Sequence, residues 1–119
     1  GYTSVSCSKL VAVTGDTVEC DGVAMRELGD GAPYKTGIAT PDVVNPRCPN
    51  ERILGELAKA RLAKLLDGVK HVEDSGAVDP SGRPLVKLRL KNGRTAGAVL
   101  LSEGVAIVWY PGYIRPWCK

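Results

Sequence analysis

Four cysteines, at positions 7, 20, 48 and 118, constrain this chain more than any other feature. The count is even, there is a single histidine, and no two cysteines are spaced as C-x-x-C, which removes the common Cys/His zinc patterns. Paired disulfides of an exported protein are therefore expected. Four cysteines allow three pairings. Cys7 and Cys20 flank a hairpin pattern, so cross-strand proximity favours that pair and leaves Cys48 with Cys118. The second bridge would tie the start of a helix to the C-terminus. Closing the shorter loop contributes roughly 3 kcal/mol in the chain-entropy account. No signal segment is visible, and Gly1-Tyr2 reads as the start of a processed or trimmed chain. A secreted or periplasmic protein is expected.

At 119 residues the chain makes one domain spanning 1–119, large enough to close a core without a metal staple. It contains no Phe, two Trp and four Tyr, so the core must be built from Val, Leu, Ile and Ala. A hydrophobic share of 44% with 24% charged residues excludes disordered, collagen-like and coiled-coil classes. No apolar run approaches the roughly 20 residues that a membrane-spanning helix needs. A net charge of +3 permits an anionic partner without requiring one.

The run 5–13, VSCSKLVAV, is rich in β-branched residues and reads as a strand. A turn at Thr14-Gly15-Asp16 returns the chain through 17–20, and Asp21-Gly22 makes a tight hairpin turn into a third strand over 23–28. Residues 29–50 carry three glycines and four prolines and read as a long loop, a length usually tied to function. The clearest helix covers 50–66, with Ile53, Leu54, Leu57, Leu62, Leu65 and Leu66 expected on its buried face. Pro49 suits its first turn and Gly68 its stop. Strands at 69–73 and 85–90, separated by a turn-rich loop, precede a short helix over 95–103 and an extended run over 105–109. The order of strands and helices predicts a mainly β, α+β domain: a five-stranded OB-type barrel with two to three helices packed on it.

Several segments, in order, resemble the staphylococcal-nuclease-like (thermonuclease) family: Val13-Thr14-Gly15-Asp16-Thr17, Met25-Arg26, Gly37-Ile38-Ala39-Thr40-Pro41-Asp42, Asp79-Pro80-Ser81-Gly82-Arg83-Pro84-Leu85 and Ser102-Glu103-Gly104-Val105-Ala106. Each is weak alone, but together they cover nearly the whole chain. The resemblance implies a calcium-dependent OB-type nuclease that hydrolyses phosphodiesters of DNA and RNA. Such chemistry asks for guanidinium forks and a hard cation to neutralise charge in the transition state, and a carboxylate to activate water.

Carried over residue by residue, Arg26 and Arg83 match the family's two phosphate-binding arginines, and Asp16 matches a calcium aspartate, although Thr14 stands where the family usually has a further aspartate. The family's G-[IV]-D-[AT]-P-E becomes Gly37-Ile38-Ala39-Thr40-Pro41-Asp42. Ala39 thus replaces the second calcium aspartate. Asp42 replaces the catalytic glutamate, with a reach shorter by about 1.5 Å. Thr40 keeps a backbone carbonyl for the metal. A misplacement of about 1 Å can cost on the order of 100-fold in rate, and losing a carboxylate lowers calcium affinity. A depleted Ca2+ site and weakened or lost hydrolysis are expected, the alternative being a silent nucleic-acid-binding or protein-interaction module on the same scaffold.

In a second register, Arg26 to Tyr34 reads against the same motif without insertion, placing Gly31 at the metal aspartate and Tyr34 at the base. The first register, which keeps more of the motif, is preferred and inserts about eight residues, Gly29 to Thr36; both registers lose the metal aspartate, and Glu27 or Asp30 are candidates to supply a replacement carboxylate from the inserted loop. Tyr110 matches a tyrosine near the substrate base. Tyr113, Trp109 and Trp117 are expected to pack against the barrel. His71 is expected to face solvent, as is the basic helix face of Lys59, Arg61 and Lys64. DNA or RNA is the expected partner, no membrane is, and the protein is expected to be a monomer.

Overall fold

The computed structural model describes all 119 residues. The first expected strand is two: β1 (Thr3–Val5) and β2 (Leu10–Ala12). It breaks because the Asp21 carboxylate takes the Ser8 and Lys9 amides, at 3.0 and 2.7 Å, out of any strand ladder. Asp21 and Gly22, with φ of 49° and 86°, form the left-handed pair that a tight hairpin requires, joining β3 (Thr17–Cys20) to β4 (Val23–Glu27). The Cys7–Cys20 disulfide spans this corner, and Cys48–Cys118 joins the start of the long helix to the tail. Both pairings are the ones expected from spacing, and they place folding in an oxidising environment.

Within the expected long loop lies β5 (Gly37–Ala39). Helix α1 (Pro49–Leu66) follows, with Pro49 in its first turn, and then β6 (Val69–Val78), β7 (Pro84–Leu90), α2 (Ala96–Ser102) and β8 (Ile107–Trp109). β6 runs five residues further than its sequence pattern suggests. It crosses one register shift between Val69 and His71 and another between Asp74 and Val78, where Gly76 adopts φ 84°.

Six strands, rather than five, make the main sheet, in the order β1-β6-β7-β4-β3-β2, with β4 and β7 parallel. The sheet curls as a half-barrel, and β1 and β2 remain its two edges. Three-residue edge strands, each cut short beside the Cys7 corner, leave little backbone with which to close it. β5 and β8 form a separate antiparallel pair. Two helices are present, and neither is long and apolar enough to cross a membrane.

The core is aliphatic as the composition requires. Val18, Ile38, Leu62, Val86, Leu88 and Leu100 are at its centre, each 1% exposed or less. The expected apolar face of α1 holds at Leu62, which is buried, and at Leu65 and Leu66, which pack against the core, and is corrected at Ile53 and Leu57. The buried seam is Glu51, Gly55, Ala58 and Leu62, while Ile53 and Leu57 are 54% and 58% exposed. Small residues at 55 and 58 let the helix lie close to Gly15 and to the 41–43 backbone, which leaves Ile53 and Leu57 facing outward.

Candidate functional site

Five separate segments converge on one open cleft of about 450 Å³: the β2–β3 turn, the end of β4, the chain after β5, the 79–83 turn and the C-terminal tail. The cleft brings together Asp16, Arg26, Thr40, Asp42 and Arg83, all the residues expected at the reacting end of the site. The expected metal position, Ala39, is buried on β5 just before Thr40.

Asp16 is the organising residue. Its Oδ1 accepts from the Thr14 and Thr17 hydroxyls, both at 3.1 Å, and its Oδ2 accepts from the Thr40 amide at 3.2 Å. Arg26 Nη2 lies 3.6 Å from the same Oδ2 and donates to the Ile38 carbonyl at 3.0 Å. Arg83 donates through Nε to Asp79 Oδ2 at 2.6 Å and through Nη1 to the Thr17 hydroxyl at 3.1 Å. Burial pushes the Asp79 carboxyl up, but the Arg83 amide and guanidinium outweigh it and hold the group below the ordinary range. The 79–83 turn is self-fastened, with the Ser81 and Arg83 amides both on Asp79 Oδ1. Each guanidinium is thus fixed by part of its fork, leaving further N–H groups for a ligand.

Asp42 faces the cleft with its Oδ1 already accepting the Val44 and Asn45 amides, at 2.9 and 3.1 Å, while no protein donor holds Oδ2. Behind it, Glu51 is fully buried and takes the Asp42 amide, the Arg47 amide and both ends of the Arg47 guanidinium. The Arg47 fork, helped by these amides, holds its carboxyl down at about 2. Sequence reading missed Glu51 because an acidic residue in a first helical turn ordinarily signals only the helix dipole.

A second cleft of about 470 Å³ adjoins the first and shares Arg26, Ser81, Arg83 and Arg115 with it. Leu28, Ile38, Tyr34, Trp109 and Tyr113 give it an apolar and aromatic wall, beside Glu27, Asp79 and the shared arginines. Tyr113 and Trp109 therefore edge a cleft rather than only packing on the sheet, and Arg115 lines both clefts. Tyr110 is 51% exposed, stands outside both linings and meets Tyr113 edge-on at 6.5 Å. Tyr34 donates its hydroxyl to the Val78 carbonyl at 2.7 Å, so in this fold the 37–42 segment, not Tyr34, reaches the first cleft. His71 is exposed on β6, and of the basic helix face Arg61 pairs with Glu103.

Neither candidate replacement carboxylate serves the first cleft. Glu27 turns its carboxyl inward to the Leu88 and Gly97 amides, at 3.0 and 2.8 Å, and burial lifts it to about 7. Asp30 accepts from the Thr95 hydroxyl at 3.1 Å. No three His, Cys, Asp or Glu side chains gather as a metal-binding group. The Thr40 hydroxyl is the one buried side-chain polar atom without a hydrogen-bond partner. Compared by sequence, the chain matches no protein-family model and no curated protein.

Proposed function

We propose that the cleft binds the phosphodiester backbone of single-stranded DNA or RNA, with Arg26 and Arg83 on phosphate and the aromatic cleft beside them receiving a base. The observation that carries this reading is the pair of guanidiniums. They come from β4 and the 79–83 turn, each is fixed by protein acceptors, and both face the same open space. Fixed forks recognise phosphate with little ordering cost, and aromatic walls stack bases without regard to sequence. The thermonuclease resemblance points the same way. The two disulfides suit a secreted or periplasmic protein.

Hydrolysis is the second reading, favoured by Asp42, whose free Oδ2 lies in the cleft that holds both arginines. Its calcium would be held by Asp16 and the Thr40 carbonyl, beside the unpartnered Thr40 hydroxyl. These donors suit a cation that keeps much of its water, since calcium takes six to eight oxygens and Ala39 contributes no carboxylate. When bound, the ion would supply positive charge at the phosphate. Asp16 would keep Arg26 oriented, and Asp42 Oδ2 would accept a proton from the attacking water.

The test is binding and cleavage of a short single-stranded DNA, with calcium and with chelator, by the protein and its Arg83→Ala and Ala39→Asp variants. Binding that survives chelation, weakens with salt and falls roughly tenfold or more in Arg83→Ala is the expected result. Calcium-dependent cutting abolished by Arg83→Ala would establish the second reading. Cutting only by Ala39→Asp would mean that the missing carboxylate alone silences the scaffold. Failure of every form to bind or cut would overturn both readings.

A further inference from the structure

We infer that Arg115 is a third phosphate-binding cation of this site, held over it by the C-terminal tail that Cys48–Cys118 anchors. The inference rests on the phosphodiester reading and extends it to two neighbouring phosphates of one strand. Arg115 lines both clefts, as do Arg26 and Arg83, and so stands where they meet. Its guanidinium stacks on two rings, 5.6 Å from the Tyr113 centroid and 5.7 Å from that of Trp117. Stacking of this kind fixes the plane of the fork while leaving its N–H edge available.

The charge of Arg115 is only partly answered by the protein. Its nearest carboxylate is Glu51, with Oε2 at 3.9 Å, but that oxygen already accepts from Arg47 Nη2 at 2.6 Å. One carboxylate thus faces two guanidiniums, and the surplus positive charge lies at the cleft, where the Arg115 side chain is 34% exposed. Arg26 and Arg83 are each paired with a carboxylate of their own, Asp16 and Asp79, whereas Arg115 has only the Glu51 oxygen that Arg47 already holds.

Nothing in regular structure holds Arg115 there. Beyond β8 the tail makes one backbone hydrogen bond within itself, from the Tyr113 amide to the Tyr110 carbonyl. Its attachments are all at the start of α1. Cys118 is bonded to Cys48, and Asn50 Nδ2 donates to the Trp117 carbonyl at 2.7 Å, while Trp117 as a whole is buried. Arg115 is three residues from the covalent bond, so the bridge sets its reach. In sequence it is 32 residues beyond Arg83 in an irregular tail, where no pattern marks it.

The experiment measures the affinity of a fluorescein-labelled single-stranded oligonucleotide and of inorganic pyrophosphate as a function of salt. It compares the protein with Arg83→Ala, Arg115→Ala, Arg115→Lys and the double variant Cys48→Ser/Cys118→Ser. Arg115→Ala should weaken oligonucleotide binding roughly tenfold and reduce the slope of log K against log salt by about 0.7, the value for one phosphate contact on a single strand. Arg115→Lys should restore most of the slope. The cysteine variant should reproduce Arg115→Ala, and adding Arg115→Ala to it should cost little more. Should the cysteine variant fail to fold, Asn50→Ala, which cuts the other tie, replaces it. An unchanged slope in Arg115→Ala while Arg83→Ala loses binding would overturn the inference and leave the phosphodiester reading standing. Pyrophosphate binding that needs both Arg83 and Arg115, without oligonucleotide binding, would uphold the inference and overturn that reading. Binding of neither probe would overturn both.

Discussion

Gly15 decides how closely helix α1 can approach the turn that carries Asp16. A Cβ at this position would lie 2.7 Å from the Ala58 Cβ and 2.8 Å from the Thr40 hydroxyl. Neither neighbour is the free end of a flexible side chain. Ala58 sits in the buried seam of α1, and Thr40 is fixed through its amide to Asp16. A methyl group must therefore push the helix or the 40–42 segment outward. Gly15→Ala is expected to destabilise the protein by about 1–3 kcal/mol, as overpacking does. It should also weaken oligonucleotide binding, because Thr40 and Asp16 move apart. Urea unfolding alongside an affinity measurement checks both effects, and an unchanged unfolding midpoint would mean that the turn relaxes freely.

At the level of elements, α1 carries its cost of substitution on a seam that hydropathy does not reveal. Leu62 is completely buried among the core residues, whereas Leu57 is 58% exposed. Leu62→Ala should cost about 2–5 kcal/mol, and Leu57→Ala within about 0.5 kcal/mol of nothing. Equal losses in urea unfolding would show that Leu57 is covered in solution. The hydropathy pattern misses this seam because Gly55 and Ala58 carry little apolar surface, when closeness of approach is what they supply. Features set by local chemistry were readable: the Asp21-Gly22 hairpin, the Pro49 helix start, and the disulfide at the Cys7 corner. The segments that carry Asp16, Arg26, Asp42 and Arg83 were legible as motifs, and the fold places them in one cleft. What depends on distant contacts was not readable. β5 exists through pairing with β8, some 70 residues away, and Arg115 reaches the cleft through a covalent tie at Cys48. The sheet stays open at its edges β1 and β2, between which the Ser8 and Lys9 amides go instead to Asp21.

Across the whole molecule, an open sheet is braced by two buried glutamates that respond to pH in opposite senses. Glu27 joins β4 to β7 and α2 through the Leu88 and Gly97 amides, and its carboxyl is raised to about 7 because burial disfavours the charge. The folded protein therefore keeps a proton that the unfolded chain releases near the ordinary value of 4.5. That contribution is complete below about 4.5 and drains away as pH rises to about 7. Glu51 is held down at about 2 by Arg47, so its contribution is complete above its ordinary value of 4.5 and is lost as pH falls toward 2. Asp79 and Glu73, both lowered, weaken the fold in the same acidic direction. The two limbs meet near pH 5, below the neutral range where many domains are most stable. Urea unfolding at a series of pH values should therefore give a maximum near pH 5 and a decline of order a few kcal/mol at most toward pH 7.5. Glu27→Gln should flatten that upper limb and leave the acid limb intact, at a cost of about 1–3 kcal/mol at pH 5 because an amide cannot accept from both backbone donors. Stability that climbs steadily from pH 5 to pH 7.5 in the unaltered protein would show that Glu27 is already ionised in the fold, with some cation or water answering its charge.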